Sequence, residues 1–213
     1  MAQVKKKYDE DTNLAEKRRA EITKAAYKIF AEKGYHSTKV EDITSELNMG
    51  YGLFYRYFKS KLEVLSRIID EIEKKITQEI VVELLRFEPK SYEEYLDNIQ
   101  RLGELVVAIL TEDPYLSKIL FYEALGINDE INERIHKAFD LVGKYQEIHI
   151  EKGIKEGFLR DDILVKETAL AINAMIFEGT RRITLAENKE ETKRNWVKAV
   201  LDLMFQGMKK PTE

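Results

Sequence analysis

Apolar residues recur every three or four positions along most of this chain, the spacing that one face of an α-helix requires. The clearest case runs from Leu62 to Leu84, where aliphatic side chains keep this spacing without an interrupting Gly or Pro. The 213 residues include only 3 Pro and 10 Gly, which also favours long helices over a turn-rich β protein. The pattern predicts an all-α protein with helices at about 13–33, 38–47, 51–58, 61–88, 91–113, 114–124, 128–156, 164–186 and 191–209.

The two short helices predicted between residues 38 and 58 are separated by a tight turn. Thr38 and Glu41 have the spacing of a capping box, in which a hydroxyl and a carboxylate bond to free amides at a helix start. The turn, residues 48–50, contains Asn and Gly, which tolerate left-handed backbone angles. The second helix, 51–58, has Tyr and Arg side chains but no acidic residue, which phosphate would repel. Such a pair is typical of a DNA-binding helix-turn-helix.

The side chains outside the packed face of this segment are the candidate DNA contacts. Gly52 is included because a residue without a side chain lets the helix start approach the duplex, where free amides can meet a phosphate. The alternative is a helical hairpin whose aromatic residues only pack, but each buried tyrosine hydroxyl would then need a partner. The candidate set is Thr38 and Lys39 at the DNA backbone, with Tyr51, Gly52, Tyr55, Arg56, Tyr57 and Lys61 on the second helix and after it.

Charge is unevenly divided along the chain, whose formal net charge is -4. Residues 1–67 contain 14 Lys and Arg against 10 Asp and Glu, whereas the remainder contains 21 against 29. Phosphate contact needs positive charge only where the protein touches DNA, so this division favours double-stranded DNA as the partner, with a chance split as the alternative. Residues 1 to about 12 lack a periodic apolar face and are expected to form a flexible arm.

The segment from Arg19 to Leu65 resembles the N-terminal domain of TetR-family transcriptional regulators. The matching residues are Arg19, Ile22, Ala25, Ala26, Phe30, Gly34, Tyr35, Thr38, Asp42, Ile43, Gly52, Tyr55, Tyr57, Phe58, Ser60 and Lys61. The segment departs from the usual family pattern at Thr44, Leu47, residues 48–50 and Leu62. The resemblance implies a homodimeric repressor whose three N-terminal helices bind DNA and which a small molecule releases.

The helix pattern and the resemblance together divide the chain in two. Residues 1–60 are assigned to the DNA-binding helix-turn-helix domain with its N-terminal arm, and residues 61–213 to a ligand-binding and dimerisation domain. The long helix that follows Ser60 spans roughly 40 Å at about 1.5 Å per residue, enough to connect the two.

The last helix is apolar over more of its circumference than one core face needs. A second copy of the chain is therefore expected to cover it, together with the small-residue face of 171–179.

Three helices of the predicted body have more aromatic and aliphatic surface than a simple bundle requires, which predicts a cavity. Asn173 and Glu178 are polar within an otherwise apolar helix and could orient the head of a ligand, unless Asn173 bonds to a neighbouring helix. Residues 121–126, 130–139 and 153–162 are similar to the body of fatty-acid-responsive members of the family. This resemblance implies a long-chain fatty acid or acyl-CoA as the small hydrophobic effector, with a bulky apolar xenobiotic second. The candidate cavity residues are Tyr95, Ile99, Leu102, Phe121, Tyr122, Asn173 and Phe177.

Enzyme and metal motifs are missing from the sequence. It has no Cys, no phosphate-binding loop and no nucleophile elbow, and His136 and His149 point to different faces of one predicted helix. No catalytic residue, metal site or cofactor is predicted, and the chain is expected not to be an enzyme. No apolar run is long enough for a membrane span or a secretory signal, so a cytoplasmic protein without membrane contact is expected. A helical interaction protein or an enzyme without a known motif is the remaining alternative.

Overall fold

The computed structural model describes the backbone of residues 2–209 and the side chains of residues 13–209 apart from Leu84 and Pro114. The described residues contain no strand, only an isolated bridge between Leu159 and Lys209. The all-α prediction is confirmed. The helices are α1 (Ala2–Lys33), α2 (Val40–Glu46), α3 (Tyr51–Tyr57), α4 (Lys61–Leu85), α5 (Tyr92–Glu112), α6 (Pro114–Lys118), a π-helical turn (Ile119–Glu123), α7 (Asp129–Lys155), α8 (Val165–Leu185) and α9 (Lys189–Met208).

The first helix is longer than the sequence pattern predicts. It begins at Ala2 rather than near Asn13, so the prediction of a flexible arm is wrong for the described residues; Met1 lies outside them. The absence of an apolar face does not prevent helix formation. No Gly or Pro interrupts residues 2–33, and Ala, Lys and Glu are good helix formers.

The helices α1, α2 and α3 form a small bundle, called here the head. Phe30, Ile43 and Phe54 are fully buried at its centre. The cap of α2 lies one residue later than predicted, because the Asp42 carboxylate accepts a hydrogen bond from the Lys39 amide at 2.7 Å. The predicted left-handed turn is confirmed at Asn48, whose φ is 49°. It directs α3 away from α2 and leaves one side of α3 facing solvent.

Helix α4 connects the head with the remaining helices, called here the body. Val64, Leu65 and Ile68 are buried where α4 packs on α1, and Ile76 and Ile80 are buried further along, within the body. The helix ends at Leu85, short of the predicted end before Pro89. Because one rigid helix takes part in both cores, a displacement of its body end would move the head.

The body consists of α5 to α9, with α7 and α8 in the most extensive contact and α9 packed on α8 and α5. The predicted caps are confirmed at Ser91, whose hydroxyl accepts from the Glu94 amide, and at Asn128, whose side chain accepts from the Ile131 amide. The single predicted helix 114–124 is instead α6 followed by the π-helical turn, closed by a bond from the Ala124 amide to the Ile119 carbonyl. π-Helical turns are rare in proteins, and those that occur often lie at functional sites.

Candidate nucleic-acid interface and ligand cavity

The outward side of α3 presents polar aromatic groups in a fixed arrangement. Tyr51 and Tyr55 are 49% and 45% exposed, and their hydroxyls are hydrogen-bonded to each other at 2.9 Å. This bond raises the pKa of the Tyr51 hydroxyl, so Tyr51 stays neutral at physiological pH. Arg56 is also exposed, and α3 contains no acidic residue. The surface can therefore donate hydrogen bonds to base edges or phosphates without charge repulsion.

Gly52 lies at the start of α3 in open space. A Cβ atom added to it would meet nothing within 4 Å, so packing inside the chain does not require a glycine there. A helix interior pays for glycine with backbone entropy, since Ala would be about 1 kcal/mol more favourable. A reason for the missing side chain must therefore lie outside the chain, which fits close approach of another molecule.

Two predicted DNA contacts, Thr38 and Lys61, are engaged within the head instead. Thr38 is 1% exposed, and its hydroxyl donates to the Gly34 carbonyl at 2.7 Å. The Lys61 ammonium donates to the carbonyls of Tyr35 at 2.7 Å, Thr38 at 2.8 Å and His36 at 3.3 Å. Burial lowers the pKa of Lys61. The prediction for Thr38 is wrong because its oxygen is inaccessible. Lys61 joins α4 to the loop after α1 through its hydrogen bonds to the backbone carbonyls.

The remaining predicted head residues divide between surface and core. Lys39 is exposed at the start of α2. Tyr57 is half-buried and packs against the core, so the prediction that it points outward is only partly right. The partners of Lys61 precede it by 23 to 26 residues, and no local pattern could have identified them.

Three side-chain hydrogen bonds join the head to the body, and sequence reasoning missed all of them. The Glu123 carboxylate, in the π-helical turn, accepts from the Tyr35 amide at 2.8 Å. Tyr27 donates to Asp113 at 2.9 Å, and Tyr115 donates to Glu32 at 2.8 Å. Burial, and then the bond to Asp113, raise the pKa of Tyr27. The end of α1 is thus held by α6 and its neighbours as well as by α4.

An apolar cavity of about 20 Å³, called here the central cavity, lies inside the body. One wall is formed by α4 through Ile69, Ile72, Ile76 and Ile80, and the others by α5, Leu120, α7 and α8. The rings of Phe139 and Phe177 lie 4.3 Å apart at this site. The α4 residues had been assigned only to the packing of a connecting helix, so the sequence reading missed them as a cavity wall.

The predicted cavity residues do not all come together. Phe177 lines the central cavity, and Phe121 stacks on Phe139 beside it, at 5.8 Å between ring centroids. Tyr95 lies elsewhere in the body, where its hydroxyl bonds to the His149 carbonyl, and Tyr122 is 44% exposed. Leu102 is buried but lines neither the central cavity nor the second cavity near α9, which Ile99 lines.

The two polar residues expected to orient a ligand head have other partners. The Asn173 amide nitrogen donates to the Phe139 carbonyl at 2.8 Å, as in the alternative of a bond to a neighbouring helix, while its buried Oδ1 has no partner among the described residues. Glu178 lies at the surface, paired with Arg181 at 2.8 Å and Arg182 at 2.7 Å. The hydrogen bond from Arg181 lowers the pKa of Glu178 to about 2. Glu178 therefore does not face the central cavity.

Metal-binding clusters and membrane-spanning helices are both absent from the described residues. The described side chains include no group of three or more His, Asp or Glu residues placed to hold a metal ion. Among the described helices, none combines the length and apolarity that crossing a bilayer requires.

Comparisons with known proteins agree with this geometry. Residues 22–68 match the model of the bacterial regulatory proteins of the tetR family. The transcriptional repressor NicS of Pseudomonas putida is 26% identical over 209 residues, covering 92% of this chain and 94% of that protein. A regulator from Saccharomonospora viridis, solved with choline, has a TM-score of 0.75 at 21% identity, covering 92% of this chain and 100% of that one. The fatty acid degradation regulator FadR of Bacillus halodurans has a TM-score of 0.72 at 20% identity, covering 89% and 95%.

The two structural likenesses, at this identity, concern the fold alone. The family match, in contrast, covers α2 and α3 completely, together with the ends of α1 and α4 that pack on them. The matched residues include the solvent-facing helix with its tyrosine pair. These residues are therefore a DNA-binding domain of the tetR family of bacterial regulatory proteins, and the chain as a whole is similar to a transcriptional repressor along almost its full length.

Proposed function

We propose that this protein is a homodimeric repressor that binds a near-palindromic operator and is released by a small apolar effector. The observation that carries the proposal is the solvent-facing side of α3, with two hydrogen-bonded tyrosines, one arginine and no carboxylate. The name of the Pseudomonas putida relative supports repression. In this proposal residues 1–60 are the DNA-binding domain and residues 61–213 the ligand-binding and dimerisation domain; residues 210–213 lie outside the described ones.

The proposed DNA contacts differ in role. Tyr51, Tyr55 and Arg56 would reach base edges or phosphates, and Lys39 would contact the DNA backbone at the start of α2. Gly52 would let the first turn of α3, with its free amides, approach a phosphate. Thr38 and Lys61, and in part Tyr57, would support the head from within.

Gly52→Leu provides a test of close approach. The variant should fold normally, because the added side chain has open space around it. Its affinity for operator DNA should fall at least tenfold, since Leu would hold α3 away from the duplex and about 1.4 kcal/mol corresponds to a tenfold loss. Fluorescence anisotropy with labelled duplex measures the affinity.

Gln78→Leu is the matched control for Gly52→Leu. Gln78 is exposed on α4, outside the head, so the same side chain placed there should leave DNA affinity unchanged. Equal affinities for Gly52→Leu and the natural protein would show that the start of α3 does not approach DNA.

The proposed dimer is formed by α8 and α9 with their symmetry mates. Leu203 on α9 is 67% exposed and Leu170 on α8 is 44% exposed, so both helices present large apolar side chains to solvent. The exposed small residues Ala171 and Ala174 lie beside Leu170 and allow close helix approach. A two-fold pair of heads requires two half-sites of opposite direction in the operator.

The proposed effector is a long-chain fatty acid or acyl-CoA whose chain enters the central cavity. A surface cleft of about 300 Å³ between α4 and α7 shares the walls Glu73, Ile76 and Ala138 with that cavity. Arg134 and Lys137 lie in the cleft and could meet an anionic head. The Bacillus halodurans neighbour is a fatty acid degradation regulator, which is compatible with this choice.

Release of DNA would follow from the position of Arg134. Its guanidinium ties α7 to α4 through Asp70 at 2.5 Å and Glu73 at 3.1 Å. An anionic head at Arg134 would compete with these carboxylates, while a chain in the cavity would displace the α4 wall. The displaced α4 would then move the head, as far as the ligand prefers the state that does not bind DNA.

The decisive effector experiment titrates palmitoyl-CoA into the protein–operator complex. The natural protein should release DNA and melt at a higher temperature, because a ligand at about 100 times its dissociation constant adds roughly 2.7 kcal/mol of stability. With Ile76→Phe, palmitoyl-CoA should neither release DNA nor raise the melting temperature, because the larger ring occupies space at the junction of cleft and cavity.

The same titration distinguishes the second candidate, a bulky apolar xenobiotic. No Lys, Arg or His among the described residues lines the central cavity. Its apolar walls would suit an uncharged xenobiotic if the cleft does not bind an anionic head. If palmitoyl-CoA changes neither DNA binding nor melting while flat aromatic compounds change both, the lipid proposal is wrong.

A further inference from the structure

A second cavity lies between α9 and the rest of the body, separate from the central cavity. It measures about 40 Å³ and is bounded by Gly103 on α5, Gln146 on α7, Ile172 on α8, and Trp196 and Val200 on α9. No charged residue lines it, and α4 does not contribute to it. It is called here the α9 cavity.

The α9 cavity continues into an open groove between α5 and α9. The groove has a volume of about 540 Å³ and shares the walls Gln100, Val197 and Leu201 with the cavity. Acidic and basic side chains are equally numerous along the groove, three of each: Glu104, Glu190, Asp202, Lys193, Arg194 and Lys198. An elongated molecule without net charge could therefore extend from the cavity into the groove.

Gln146 is the buried polar residue of this cavity, whereas Gln100 is exposed at its edge and donates to Glu104 at 2.9 Å. Gln146 is only 5% exposed and lines the cavity, and its amide makes no hydrogen bond to any other described residue. Buried amides are ordinarily hydrogen-bonded, because losing water without gaining a partner is costly. The position is otherwise apolar in pattern, four residues after Val142 and four before Ile150, both of which are buried. The Gln146 amide therefore needs a hydrogen-bond partner from outside the chain.

We propose that the α9 cavity is a second small-molecule site, which takes a neutral, elongated, mainly apolar molecule with one hydrogen-bonding group. A hydroxyl or carbonyl of the ligand bonds to the Gln146 amide, which offers both a donor and an acceptor. The apolar remainder lies against Trp196 and Val200 and along the α5–α9 groove. Binding there acts on α9, whereas an effector in the central cavity acts on α4, so the two sites differ in their target as well as in their chemistry.

Trp196 makes this site directly measurable, because it is the only tryptophan of the chain and it lines the α9 cavity. The probe is ω-bromohexanol, whose bromine quenches indole fluorescence on contact, with bromohexane as the matched compound that lacks a hydroxyl. The natural protein should show saturable quenching by the alcohol. Gln146→Met, which keeps the length of the side chain, should weaken the alcohol about tenfold and bromohexane hardly at all, since it removes one hydrogen bond.

Two further variants fix the location. Gly103→Leu should abolish saturable quenching, because a Cβ at Gly103 has open space around it and the side chain can fill the cavity without a clash. Ile76→Phe, in the central cavity, should leave quenching unchanged even if it abolishes the response to palmitoyl-CoA. Failure of the effector proposal therefore does not affect this test.

The proposal is overturned by quenching that rises linearly with probe concentration, or by saturable quenching that neither Gln146→Met nor Gly103→Leu changes. In the first case the cavity holds only water at Gln146. Saturable quenching that Ile76→Phe removes would place the probe in the central cavity and overturn the proposal as well.

Discussion

Leu203→Glu is expected to convert the protein from a dimer into a folded monomer. Leu203 is 67% exposed in the single chain, so a glutamate there does not disturb the fold of the subunit. In the proposed four-helix interface, however, each subunit would have to bury an unpaired carboxylate, which costs about 3–5 kcal/mol apiece. Light scattering at micromolar concentration measures the mass, and anisotropy with operator DNA should show a large loss of affinity because each monomer has a single head.

Leu85→Glu is the matched control for the interface. Leu85 is 79% exposed at the end of α4, outside the proposed interface, and its substitution introduces the same charge. This variant should remain a dimer with normal DNA affinity. The interface is misassigned if Leu203→Glu also stays dimeric, and the dimer itself is refuted if the natural protein is a monomer at micromolar concentration.

Gly179→Ala is expected to destabilise the body and displace α9. A Cβ at Gly179 would lie 2.2 Å from Nε1 and 2.4 Å from Cδ1 of Trp196, closer than non-bonded atoms approach. The indole would have to move, and its hydrogen bond to the Met175 carbonyl, 3.0 Å long, would be lost. Overpacking of this kind costs about 1–3 kcal/mol and outweighs the roughly 1 kcal/mol that alanine gains in a helix.

The measurement for Gly179→Ala combines thermal unfolding with the emission spectrum of Trp196. A loss of about 1–3 kcal/mol lowers the melting temperature by several degrees in a chain of this size, and a displaced indole should emit at longer wavelength. Gly207→Ala on α9, where a Cβ meets nothing within 4 Å, should have neither effect. An unchanged melting temperature and spectrum for Gly179→Ala would contradict the close packing of α8 on α9.

The head was predictable from sequence because its signals are local. The turn at Asn48, the separation of Phe54 from Tyr55 on α3 and the apolar stripe of α4 each depend on spacings of a few residues. Such spacings determine which side of a helix is buried. The fold class follows from the same information.

The contacts that sequence reasoning missed join residues distant in the chain. Lys61 was assigned to DNA because it follows the second helix, but its ammonium is held by carbonyls more than twenty residues earlier. Glu123 meets the Tyr35 amide across 88 positions. Neither pair has a spacing that a helix or turn would repeat, so only the folded arrangement could identify them.

A cavity inside the body was predicted from the sequence, but its lining residues were not. A surplus of aromatic residues indicated a cavity, yet hydrophobicity alone could not divide them among its wall, other packing clusters and the surface. Phe177 lines the central cavity while Tyr95 lies beside His149, although both stand on apolar helices. A buried polar residue that lines a cavity is Gln146, whereas Asn173 bonds to Phe139 and Glu178 to arginines.

Head and body are coupled through two routes that a regulator of this kind can use. Helix α4 belongs to both cores, and its body end is tied to α7 by Arg134. The π-helical turn reaches the loop after α1 through Glu123. Since the loop is also held by Lys61 from α4, a shift of either element changes the position of α1 and, with it, the orientation of α3.

Selection of bound duplexes from a random DNA pool tests the central claim most directly, namely that a two-fold pair of α3 helices reads DNA. The natural protein is expected to enrich an inverted repeat whose half-sites lie about 34–36 Å apart or a multiple of that distance. Tyr55→Ala should weaken the preference within each half-site while the folded dimer persists. The claim would be contradicted if the natural protein enriched no sequence. It would also be contradicted if Tyr55→Ala and Arg56→Ala enriched the same sequence as the natural protein and bound it with equal affinity.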